Sequence, residues 1–137
     1  MDASAKLAVH ELLSRAAYGL DEHDIDLLGG CFAPDAEFHM QIAGQGPIPP
    51  FVGHAAIIGL FRGAMDAQTD KRRHLISNIF FTEEGAERCA VLSNLTLFGT
   101  ENGTPRLICT ALYRDRLALR DGRWFITERR IELDSSY

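Results

Sequence analysis

Near residue 70 the hydrophobic pattern changes period, and few folds accommodate the change. Upstream, between Ala5 and about His23, Val9, Leu12, Leu13, Ala16, Ala17 and Leu20 recur at helical spacing, which predicts an amphipathic helix. Asp24 is placed to cap a short second helix over Ile25–Phe32. That helix must stop before Pro34, because the residue preceding a proline is pushed out of the α region. Glu37–Ile42 reads as a strand, Ala43–Pro50, with two Gly and three Pro, as a loop, and Gly53 to about Ala67 as a third helix with its stripe at Ile57, Ile58, Leu60, Phe61 and Met65. Downstream, Arg73–Thr82, Arg88–Thr100, Pro105–Arg120 and Arg123–Leu133 are rich in β-branched, leucine and aromatic residues. The turn signals Glu84-Gly85, Asn102-Gly103 and Asp121-Gly122 separate them, so four long antiparallel strands joined by hairpins are predicted.

Helices first and strands afterwards mean a segregated α+β fold, not βαβ alternation. Three N-terminal helices closing a strongly curved, mixed or antiparallel sheet leave a space between the layers, and ligand sites favour such concave mouths.

Composition narrows the function. The 137 residues fit one domain, 1–137, able to bury roughly two-thirds of its unfolded surface without a disulfide or structural metal. Net charge is −5, and the densest basic spots, Lys71-Arg72-Arg73 and Arg129-Arg130, are too short to follow a phosphate backbone. The electrostatic term behind nucleic-acid binding is therefore missing. Cys31, Cys89 and Cys109 are far apart and lack CxxC spacing, which argues against a disulfide framework and a zinc site. Met1-Asp2-Ala3-Ser4 carries no signal-peptide pattern and no apolar run approaches the roughly 20 residues of a membrane span; a cytoplasmic protein with no membrane partner is expected. No phosphate loop or nucleophile elbow is visible, and no cofactor is expected.

Chemistry concentrates on two residues. Asp21 lies four residues after Ala17 and eight after Leu13, on or beside the buried face of the first helix. A carboxylate among apolar side chains needs a partner. His74 opens the strand whose residues 74, 76, 78 and 80 share one face; a concave face would turn His74 and Asn78 towards Asp21. Asp and His in contact form a general acid–base device, the carboxylate fixing the imidazole tautomer and raising its basicity. The same pair also reads as a satisfied polar contact tying two layers together. Tyr18 stands three residues before Asp21, where its hydroxyl is in reach of the same pocket or packs at its rim. Phe38, Met40, Phe61, Ile76, Phe80, Leu95, Leu97, Tyr113 and Trp124 are the candidates for the apolar wall. Glu37, His39 and Gln41 share a face without the further ligand a metal needs. Arg129 and Arg130 find cross-strand partners among Asp115, Glu128 and Glu132.

The order of elements, with Leu20-Asp21-Glu22-His23-Asp24 leading into Cys31-Phe32-Ala33-Pro34-Asp35-Ala36, Phe51-Val52-Gly53, Arg73-His74-Leu75-Ile76-Ser77-Asn78, Tyr113-Arg114-Asp115 and Asp121-Gly122-Arg123-Trp124, resembles the NTF2-like superfamily over nearly the whole chain. Within it the chain looks closest to the SnoaL-like and scytalone dehydratase-like branch. That resemblance implies a cone enclosing a pocket for a small hydrophobic organic molecule, with Asp21 and His74 at the positions that perform acid–base elimination of water. It also implies a homo-oligomer, dimer or trimer. The chain departs from the dehydratase pattern in two ways. Leu20 and Met40 fall where two water-positioning tyrosines are expected. Val91–Phe98 offers only Ser93, Asn94 and Thr96 where a second histidine is expected, so scytalone itself is not the expected substrate.

Two functions follow. One is a lyase (dehydratase) or isomerase in which Asp21 and His74 shuttle the proton while Tyr18 and Asn78 orient an oxygen. The other is a non-catalytic ligand-binding or structural subunit, because Arg130-Ile131-Glu132-Leu133-Asp134 is similar to the ending of the small subunits of aromatic-ring-hydroxylating dioxygenases.

Overall fold

The computed structural model describes Met1–Tyr137. Its elements are α1 (Ala3–Asp21), α2 (Ile25–Gly30), β1 (Phe32–Ile42), β2 (Phe51–Val52), α3 (His54–Ala67), β3 (Lys71–Glu84), β4 (Arg88–Glu101), β5 (Thr104–Arg120) and β6 (Arg123–Leu133). The strands form one sheet ordered β2-β1-β6-β5-β4-β3. All pairings are antiparallel except that of β1 with β6. The fold is therefore α+β, three helices on a six-stranded mixed sheet.

Local chemistry sets the boundaries. Asp2 caps α1 by accepting from the Ala5 N–H at 2.8 Å, and Asp24 caps α2 by accepting from Leu27 N–H at 3.0 Å. Asn102-Gly103 and Asp121-Gly122 all have positive φ, between 51° and 77°. Two consecutive left-handed residues make the tight hairpin turn whose twist matches the strands, and Asn-Gly or Asp-Gly adopts it at low cost. α2 stops at Gly30, short of the expected Phe32, and β1 begins at Phe32, earlier than the expected Glu37. The cause is pairing: Phe32 sits opposite Ile126, whose N–H donates to the Cys31 carbonyl at 2.8 Å. β2, two residues paired to β1, falls outside the strands that the pattern predicts, and β3 is longer at both ends.

Val9, Leu13 and Ala16 of α1, Ile57 and Phe61 of α3, and inward residues of β4 to β6 such as Leu97, Ala111 and Leu117 form one core. Two bulges decide which side chains join it. In β3, Ser77 pairs with Asn94 but Phe80 pairs with Leu92, so one extra residue is inserted, and Asn78 takes φ 55°. Before the insertion His74 and Ile76 turn inward; beyond it Ile79 and Phe81 do. An extra residue reverses the alternation of a strand. In β6, Leu117 pairs with Ile126 but Arg116 with Glu128, leaving Thr127 unpaired and turning Arg129 inward opposite Asp115.

Candidate functional site

α1 ends on Asp21, which is 8% exposed, and β3 brings His74 beside it. Oδ1 of Asp21 lies 2.6 Å from Nδ1 of His74, and the His74 backbone N–H donates to both carboxylate oxygens at 3.0 Å. An ionised carboxylate only accepts, so Nδ1 carries the proton of the neutral ring and Nε2 keeps its lone pair. A second contact braces this junction from outside. Glu22 accepts from Lys71 at 2.8 Å and Arg73 at 3.0 Å. The hydrogen bond from Lys71 holds the Glu22 carboxyl below its ordinary range. Residues 71 and 73 thus pin the end of α1 while 72 and 74 face the interior.

His74 lines a partly enclosed cavity of about 140 Å³ between α3 and the sheet. Phe38, Met40, Phe61, Leu95, Leu97 and Tyr113 supply much of its wall. Asp21 stands behind His74 and does not line the cavity. Polar groups are few. They are His74, Gln68, Arg72, Tyr113 and Tyr137, with Arg72 donating to Asp70 at 2.9 Å and lying 5.7 Å from the centre of the Tyr137 ring.

Three other expected site residues lie elsewhere, each for a physical reason. Tyr18 is 58% exposed. It falls roughly two and a half turns beyond Val9, on the opposite side of the helix from the buried stripe. Asn78 is exposed at the β3 bulge, which also leaves Phe80 56% exposed. Trp124 is buried, but beside the Asp121-Gly122 turn in a groove with Leu12 and Arg15, whereas β6 meets the cavity at Ile131 and Leu133. Ile76 packs on the core without lining the cavity.

Sequence reasoning missed Arg72 and Cys109, although both lie at the alternate spacing that marks their inward neighbours His74 and Tyr113. It also missed how deeply one ion pair is buried. Arg129 donates to Asp115 through Nε at 2.7 Å and Nη2 at 2.9 Å, with both residues 2% exposed. Burial opposes the Arg129 charge, and Asp115 more than offsets it, so the pKa is raised overall. Its guanidinium stacks 4.5 Å from the centre of the Tyr113 ring. His39 and Glu37 meet at 3.4 Å on the outer face, and no three His, Cys, Asp or Glu side chains converge as metal ligands. No helix is long and apolar enough to cross a membrane.

Three helices on a six-stranded mixed sheet, with one histidine lining a largely apolar cavity, define a class of small α+β proteins. Residues 1–130 match the family model of the SnoaL-like domain, and the chain belongs to that family of the NTF2-like superfamily. No curated protein matches it by sequence. Among solved structures it is similar to a cystatin-like-fold protein of unknown function from Nostoc punctiforme, with TM-score 0.85, 24% identity, and 99% of this chain and 96% of that one covered. A chain from Novosphingobium aromaticivorans assigned as the beta subunit of an aromatic-ring-hydroxylating dioxygenase superposes with TM-score 0.84 at 18% identity, covering 98% and 92%. Aln2 from a Streptomyces species gives TM-score 0.83 at 20% identity, covering 97% and 93%.

Proposed function

We propose that this protein is a lyase of the dehydratase type or an isomerase, acting on a small hydrophobic organic molecule held in the cavity. One observation carries the reading: the 2.6 Å contact of Asp21 with His74, whose ring is presented to a largely apolar space. His74 Nε2 takes a proton from a carbon beside a carbonyl, and the imidazolium forms against the Asp21 carboxylate. The proton then goes to a departing hydroxyl, which leaves as water, or to another carbon of the same molecule. Phe38, Met40 and Phe61 hold the apolar body, while Tyr18, Asn78 and Trp124 stand off the cavity and do not meet the substrate. Screening β-hydroxy ketones and β,γ-unsaturated ketones for the ultraviolet absorbance of a conjugated enone tests this. His74→Ala and Asp21→Asn should each lower turnover by about 10²–10⁴-fold; a loss of no more than a few-fold in both would contradict it.

A second reading, a non-catalytic subunit, draws support from the outer sheet face, where Phe98 and Leu107 stand opposite each other and, with Leu75, are exposed. The same patch supports a homo-oligomer. Co-purification with a large Rieske-type iron subunit would favour the subunit reading; a homo-oligomer that turns over an enone precursor would exclude it.

A further inference from the structure

Tyr113 is a buried cavity residue whose hydroxyl the fold leaves unspent. It is 3% exposed and lines the cavity. Its hydroxyl makes no hydrogen bond with a protein group, yet it is not sealed away. Ser93 Oγ is the one side-chain polar atom that is both unpartnered and shut off from solvent. The Tyr113 oxygen therefore opens on the cavity, and a buried hydroxyl without a partner is costly unless something in that space completes it. The Arg129 guanidinium, itself gripped by Asp115, packs over the ring 4.5 Å from its centre. Burial pushes the phenol above its ordinary range, against the opposing pull of Arg129. It stays protonated and donates.

The enclosed part of the space, about 140 Å³, has room for one ring, since a cavity of about 150 Å³ accommodates benzene. We infer that the Tyr113 hydroxyl donates a hydrogen bond to a carbonyl oxygen of the ligand, and that the ligand is a compact one-ring ketone. The choice of a carbonyl rests on the acid–base reading above: a donor on that oxygen stabilises the enolate formed when His74 removes the adjacent proton.

Binding tests this without requiring turnover. Acetophenone, ethylbenzene and 2-acetylnaphthalene are titrated against the full chain and Tyr113→Phe. Wild-type protein should bind acetophenone, and the variant should bind it about five- to ten-fold more weakly with ethylbenzene unchanged. In protein labelled with ¹³C at tyrosine Cζ, the Tyr113 signal should move on adding acetophenone and hold still with ethylbenzene, which reads the contact without any substitution. Failure of acetophenone to bind, equal binding by Tyr113→Phe, an unmoved Tyr113 signal, or equal affinity for the two-ring ketone would each overturn the inference. Binding as described without proton abstraction would retire the acid–base reading and leave this one standing.

Discussion

Asp21 grips His74 at two points: Oδ1 meets the ring Nδ1 at 2.6 Å, and both carboxylate oxygens take the backbone N–H of the same residue at 3.0 Å. The ring is thereby fixed in orientation and in tautomer. In Asp21→Asn the amide donates where the carboxylate accepted, so the ring proton moves from Nδ1 to Nε2 and the base facing the cavity is lost. Imidazole ¹⁵N spectra of the two proteins should show the exchange. The variant should also lose about 1.5–3 kcal/mol of stability, the worth of a hydrogen bond to a charged group.

The Asp115–Arg129 pair is sealed in the core, so breaking it strands a charge. Asp115→Asn and Arg129→Met should each cost about 3–5 kcal/mol, while the double replacement Asp115→Leu with Arg129→Met should recover much of the loss. Urea unfolding of the three proteins checks this. Equal stability of the single variants and the parent would mean the pair contributes nothing.

Acid should weaken the fold through its paired surface carboxylates. Hydrogen bonds from Lys71, Arg120 and Lys6 respectively hold Glu22, Asp35 and Glu84 below their ordinary range. A carboxylate with a depressed folded-state pKa stabilises above its unfolded value, about 4, and that stability is lost as pH falls through the lower folded value. Unfolding free energy should be flat from neutral pH to about pH 5 and decline below it. Glu22→Gln should shallow the decline only slightly, because these groups are exposed and solvent screens them.

All three thiols are buried. Desolvation raises those of Cys31 and Cys109 and pushes Cys89 up to about 11. The thiolate is the reactive form, so a bulky aromatic disulfide at pH 8 should label the native protein far more slowly than the unfolded chain. Cys109, which lines the cavity, should be the first to react and should be protected by a bound ligand.

The turns and the change of period were legible because Asn-Gly, Asp-Gly and alternating strands are local signals. The meeting of Asp21 with His74 was legible for a related reason: one residue follows the helix stripe and the other precedes any irregularity of its strand. Beyond residue 77 the alternation breaks, so Asn78 and Phe80 could not be placed by counting. The bulge at Thr127 hid the burial of Arg129 in the same way, since without it Glu128 would stand opposite Asp115. Bulges arise from pairing with a neighbouring strand, which no single segment records. Tyr18 was open to a simpler correction, because Val9 and the other stripe residues already put it on the far side of α1.

If His74 moves a proton on a molecule in the cavity, a bound ketone exchanges its α-protons with solvent, and deuterium exchange reads that step. Acetophenone is incubated with the protein in D₂O, and loss of its methyl proton signal is followed by NMR. Wild-type protein should accelerate the exchange, and His74→Ala should abolish the acceleration while still binding the ketone. Equal exchange with both proteins would contradict the account.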